Sequence, residues 1–145
     1  MSTVTAQSTQ VYSIVIKATP EQVWDAITKP EFTQQYFYGA QIEVRDDRRF
    51  CAIGDFAWDE EVLESDPPRR LVHGWDSGYD PEMAAEDTSR VTWEIAPMDG
   101  GLTALTVVHD QLEGAPKTAA NVAGGWMYIL SGLKTLLETG KPLVG

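Results

Sequence analysis

Cysteine is nearly absent from this sequence of 145 residues: Cys51 stands alone, which excludes an internal disulfide and fits a reducing, cytoplasmic location. Histidine is almost as scarce. His73 and His109 are the only two, far apart in sequence, so no His/Cys set with metal-ligand spacing can be assembled and no metal is expected. Basic residues are outnumbered, 11 Lys and Arg against 22 Asp and Glu, and the net charge of −11 argues against sequence-independent binding to nucleic acid or an anionic membrane. No apolar run approaches the roughly 20 residues of a membrane-spanning helix, so no membrane insertion is expected. Glycine-rich phosphate loops are missing too: "GDF", "DGG" and "AGG" fit neither the Walker nor the dinucleotide pattern, and no cofactor is expected. The acidic stretches "GDFAWDEE" and "DSGYDPEMAAED" lack the ligand order of a calcium loop and read as solvated surface.

What is present describes a single globular domain. Apolar residues make up 43% and charged residues 23%, enough for one core at this length. Residues 1–10, "MSTVTAQSTQ", have neither a positive n-region nor an apolar h-region, so they read as a flexible leader rather than a secretory signal, with the domain over 11–145. Arg45, Arg48, Arg49, Arg69 and Arg70 flank turn-forming residues and read as turn and edge charges.

Residues Val11 to Ala18 alternate as a half-buried strand, with Tyr12, Ile14 and Ile16 on one face. In "TPEQVWDAITKP", Thr19 can cap a helix, Pro20 suits its first turn and Gln22 completes a capping box; "EFTQQYFYG" adds a second short helical turn. Strands are expected at Gln41 to Arg45, Arg49 to Ile53, Phe56 to Glu64, Leu71 to Trp75, Arg90 to Ala96 and Leu102 to His109. "DSGYDPEMAAEDTS" interrupts them as a mobile loop. The chain closes on a long amphipathic helix whose stripe holds Val122, Trp126, Ile129, Leu133, Leu136 and Leu137, stopped by Gly140 and Pro142. Its pair Gly124 and Gly125 costs helix propensity, and the expected reason is close approach of neighbouring backbone or of a cavity mouth.

The order is one strand, one or two short helices, a run of antiparallel strands and one long helix, and only that helix can cover the apolar face of the sheet. Four stretches, "ATPEQVWDAITKPE", "EVLESDPPRRLVHGW", "LTALTVVHDQLEG" and "GGWMYILSGLKTLLETGKPL", resemble in order the small bacterial proteins related to the C-terminal domain of the activator of heat-shock protein 90 ATPase, within the START-like, Bet v 1-like (SRPBCC) superfamily. The resemblance implies an α+β helix-grip fold: a curved antiparallel sheet of about six or seven strands wrapped around the C-terminal helix, enclosing a hydrophobic cavity. Members of that superfamily bind lipids, sterols or hormones, act as cyclases or hydrolases, or assist chaperones and the stress response, so fold alone does not choose among them.

The expected function is binding of a hydrophobic or aromatic small molecule between sheet and helix. A chaperone-associated or other protein-interaction module is the first alternative, and a hydrolase or cyclase using the same cavity the second. Either monomer or homodimer is compatible. Trp126, Ile129 and Leu133 from the helix and Phe56, Trp58, His73, Trp75 and His109 from the sheet are the candidate cavity residues. His73 and His109 alternate with apolar neighbours and point inward, where each reads first as a hydrogen-bonded core or rim histidine and otherwise as a ligand-orienting group or general base. "HD" at His109 and Asp110 is no catalytic pair, because adjacent strand residues face opposite ways. Glu60 follows Phe56 and Trp58 in alternation, making it an acid or ligand anchor if buried; a bulge or an edge strand would leave it solvated, which is the preferred reading. Cys51 reads as a small buried hydrophobe, and no catalytic residue is assigned.

Overall fold

In the computed structural model, which describes residues 8–144, the chain enters as strand β1 (Gln10–Ile16) and turns at Thr19 into helix α1 (Pro20–Thr28). The capping box forms: the Gln22 backbone N–H donates to Thr19 Oγ1 at 3.1 Å, and the Thr19 N–H donates to Gln22 Oε1 at 2.8 Å. Helix α2 (Pro30–Tyr36) follows at once, and Tyr36 donates its hydroxyl to the Ala26 carbonyl at 2.6 Å, tying the two helices together. The first seven positions of the expected leader and Gly145 lie outside the described residues.

Strands β2 (Gln41–Arg45), β3 (Arg48–Ile53), β4 (Phe56–Asp66), β5 (Arg70–Trp75), β6 (Ser89–Met98) and β7 (Leu102–Asp110) complete one seven-stranded antiparallel sheet. Its order is β1-β7-β6-β5-β4-β3-β2, so β1 returns to the far edge beside β7 and β2 forms the other edge. A register shift between Val62 and Glu64 marks a bulge in β4. Alternation places Leu71, Val91, Trp93, Ile95, Leu105 and Val107 on the concave face, all at most 3% exposed.

Helix α4 (Pro116–Thr139) lies across that face with Val122, Trp126, Ile129, Leu133 and Leu136 buried, and Gly140 ends it in the left-handed conformation with its N–H on the Leu136 carbonyl. It starts eight residues before Gly124, so the glycine pair sits mid-helix. Gly125 borders a cavity beneath α4, whereas close approach of another element occurs elsewhere: a Cβ on Gly132 would lie 3.1 Å from Tyr36 Cβ, where α4 crosses α2. A Cβ on Gly124 meets nothing within 4 Å, and one on Gly125 only the Tyr38 ring at ordinary contact. The structure gives no packing reason for Gly124. Replacing it with alanine is expected to raise the unfolding free energy by roughly 0.5–1 kcal/mol in urea titration, the helix-propensity difference; a loss of stability would reveal a constraint absent from this packing.

The segment read as a mobile loop is instead tied down. Asp80 caps the short helix α3 (Pro81–Ala84), and Glu86 caps α4, accepting from the backbone N–H groups of Lys117 and Thr118 at 2.8 and 2.9 Å. Acidic side chains at helix N-termini satisfy amides that have no helical partner. No helix among the described residues is long and apolar enough to cross a membrane.

Candidate functional site

Between α4 and the β2–β5 half of the sheet, the fold leaves a cavity of about 350 Å³. Ile42 comes from β2, Arg49, Cys51 and Ile53 from β3, Trp58 from β4 and Trp75 from β5; Val122, Gly125, Trp126 and Ile129 come from α4, with Phe37, Tyr38 and Tyr79 from loops. The α4 residues follow the helical spacing i, i+3, i+4, i+7, and those of β3 follow the strand spacing of two. Gly78 lies so flat against Trp58 that an added Cβ would overlap the indole ring, so this loop glycine fixes one cavity wall.

Of the residues expected at the site, Trp58, Trp75, Trp126 and Ile129 meet at this cavity. Leu133 is fully buried in the core one turn further along α4, and Phe56 stands 43% exposed at the β3–β4 turn. Glu60, His73 and His109 sit behind the cavity wall as a buried polar layer.

That layer is organised by tryptophan. The Trp93 indole N–H donates to His73 Nε2 at 3.0 Å, while His73 Nδ1 lies 2.7 Å from the Gly74 carbonyl, which assigns the proton to Nδ1. The Trp126 N–H donates to His109 Nδ1 at 3.0 Å, leaving Nε2 to donate to Ser89 Oγ at 2.8 Å. Burial, reinforced by the Arg49 charge, holds His73 well below its ordinary range; burial also pushes His109 down to about 4, opposed by Asp110. Both imidazoles are neutral acceptors for indole donors, with no ring nitrogen free for a ligand. Asp110 points to the outer face, where Arg90 holds it by paired bonds of 2.9 and 2.6 Å.

Glu60 is 1% exposed, which corrects the solvated reading: the bulge falls beyond it, and β4 is an interior strand. Its Oε1 accepts from Arg49 Nη1 at 2.7 Å, and its Oε2 accepts from the Trp58 indole and the Asp76 backbone N–H, both at 3.0 Å. Arg49 is likewise no turn charge. It is 2% exposed and directly opposite Glu60 in the β3–β4 register, with its guanidinium carbon 5.6 and 5.4 Å from the rings of Phe37 and Trp75. Burial disfavours that charge, but the Glu60 carboxylate, in direct contact and hydrogen-bonded, favours it, and the pKa of Arg49 is raised. The Cys51 thiol is pushed up to about 12 by burial and stays a neutral wall group.

Arg49 was the residue to miss, and a signal for it existed. Counting back from the two-residue turn Gly54–Asp55 pairs Arg49 with Glu60 and Cys51 with Trp58, so an inward Glu60 brings an inward arginine with it.

Residues 17–138 match the sequence model for the family described as Activator of Hsp90 ATPase homolog 1-like protein. Solved structures share the fold. The Aha1 dimer from Colwellia psychrerythraea aligns with a TM-score of 0.73 at 19% identity, covering 93% of this chain and 99% of that one. An HSP90 activator from Plasmodium falciparum aligns at 0.72 and 19% identity, covering 94% and 99%. DynU16, a protein of the dynemicin biosynthetic locus, aligns at 0.73 and 24% identity over 94% of this chain and 49% of its own. No curated protein matches the sequence.

Proposed function

The chain belongs to the Activator of Hsp90 ATPase homolog 1-like family, and we propose that it binds an aromatic or otherwise apolar small molecule in the cavity beneath α4. The cavity carries this reading. It lies within the usual range of about 300–1,000 Å³ for ligand pockets, and its lining is dominated by Phe37, Trp58, Trp75, Trp126 and Ile129, with few polar groups among them. Burying a planar ligand there gains apolar transfer and ring stacking without reorganising the sheet.

Gly125→Leu tests it. The substitution projects a side chain into the mouth beside Tyr38, where an added Cβ has room, and leucine suits a helix better than glycine. Naphthalene is expected to raise the melting temperature of the native protein, and Gly125→Leu to keep its own stability while losing about tenfold or more in affinity. Equal affinity in a stable variant would place the ligand elsewhere.

A second reading, a protein-interaction module, draws on the surface beside the same mouth. Met127 is 61% exposed, and the exposed rings of Tyr38 and Tyr128 stack with centroids 4.8 Å apart. The Plasmodium neighbour's description as an HSP90 activator suggests a chaperone as the partner to try. Met127→Glu would weaken such a contact while leaving naphthalene binding intact, which separates the two readings.

A further inference from the structure

We infer that the cavity selects ligands bearing a neutral carbonyl-type oxygen on the aromatic body, held by the unused N–H groups of Arg49. The inference rests on the ligand-binding reading above and specifies the chemistry of the same site.

Arginine has five N–H groups in a rigid planar fork. Nη1 of Arg49 is used by the protein, donating to Glu60 Oε1 at 2.7 Å and lying 3.4 Å from Cys51 Sγ. Nε and Nη2 make no hydrogen bond to any described residue. Every fully occluded polar side-chain atom among the described residues has a partner, so these two nitrogens retain access, and the space Arg49 borders is the cavity. A buried cationic donor without an acceptor is costly, and an oxygen placed opposite it recovers a charge-assisted hydrogen bond. Phe37 and Trp75 flank the guanidinium and also line the cavity, so a planar ring would be stacked by the same groups that present the donors.

Charge decides which oxygen. The Arg49 charge is already balanced by Glu60 in direct contact, and His73 behind the pair is neutral. A ligand carboxylate would add an uncompensated negative charge to an apolar enclosure lying close to Glu60, whereas a ketone or aldehyde oxygen accepts the same hydrogen bonds without importing charge. Among the described residues that line the cavity Arg49 is the one cation, no carboxylate or histidine is present, and of the neutral polar groups Tyr79 already donates its hydroxyl to Asn121.

Three probes of matched ring size, naphthalene, 2-acetonaphthone and 2-naphthoate, distinguish these cases by calorimetric titration at pH 7.5. The ketone is less hydrophobic than the hydrocarbon, so any gain it shows comes from the oxygen. On the native protein 2-acetonaphthone is expected to bind about tenfold or more tightly than either naphthalene or 2-naphthoate. Removing Arg49 alone would strand Glu60, so the matching variant is the double substitution Arg49→Met with Glu60→Gln. It removes both charges and keeps an acceptor for Trp58 and Asp76. There the ketone's advantage over naphthalene should shrink to about threefold or less, with naphthalene affinity preserved. Naphthalene and ketone binding equally to the native protein would overturn the inference and leave the cavity reading standing. Tightest binding by 2-naphthoate would also overturn it, in favour of an anion site. Failure of all three probes to bind would overturn both.

Discussion

Replacing Glu60 with alanine should lower the unfolding free energy by about 3–5 kcal/mol, the cost of breaking a buried ion pair from one side. Three donors lose their acceptor at once: the Arg49 guanidinium, the Trp58 indole and the Asp76 amide. The first is the expensive one, because it leaves a cation 2% exposed with no counter-charge in contact. Glu60→Gln should cost less than alanine, since the amide oxygen still serves Trp58 and Asp76 while the charge is lost. Arg49→Met combined with Glu60→Gln should recover much of the loss, because it removes the unmatched charge rather than exposing it. Urea unfolding of the three variants at pH 7, followed by tryptophan fluorescence, gives the comparison. A Glu60→Ala loss under about 1 kcal/mol would mean that the pair is hydrated, contrary to its burial here.

This pair also marks where the sequence stops being legible. The periodicity of two along the strands and 3.6 along α4, with the Thr19 capping box and the Gly140 stop, carries the element order and the sheet-on-helix architecture, because those signals are local. Trp58, Trp75, Trp126 and Ile129 could be named for the same reason: each sits on the inward side of its own element. Arg49 was hidden by its neighbour. In "RRF", Arg48 does go to the surface, where it pairs with Asp59 at 2.7 Å, and only the hairpin register sends Arg49 inside. Glu86 is a different kind of failure. It reads as a solvated acid until α4 arrives 31 residues later and presents free amides to it. The histidines were correctly placed inward, but the choice between ligand group and indole acceptor depends on which tryptophan lies alongside. Trp93 and Trp126 reach His73 and His109 across distances of 20 and 17 residues, set by strand pairing and helix docking rather than by local pattern.

Those two histidines make acid the natural route to unfolding. Burial depresses both, His109 to about 4 and His73 well below its ordinary range, while in the unfolded chain each returns to about 6.5. A depressed folded-state value means that the unfolded chain binds more protons, so stability is full above pH 6.5 and falls as the pH drops toward the folded values. Between pH 7 and pH 5 the linkage for His109 is about 2 kcal/mol, and His73 adds to it with the same sign. Nearby charges do not reverse the sign. Asp110 favours the protonated His109 but is held by Arg90 on the opposite face, and Glu60, with an oxygen 3.6 Å from His73 Nδ1, is already matched by Arg49. Protonation would also cost each ring its accepted indole bond, since an imidazolium has no acceptor nitrogen. His109→Gln removes one titrating group while keeping an acceptor and a donor on the side chain, so the loss of unfolding free energy between pH 7 and pH 5 should shrink by about 2 kcal/mol, leaving the part due to His73. Urea titrations at pH 7, 6 and 5 for the two proteins measure it. A native slope near zero would mean that the imidazoles pick up protons without unfolding, and so that the layer behind the cavity is open to water.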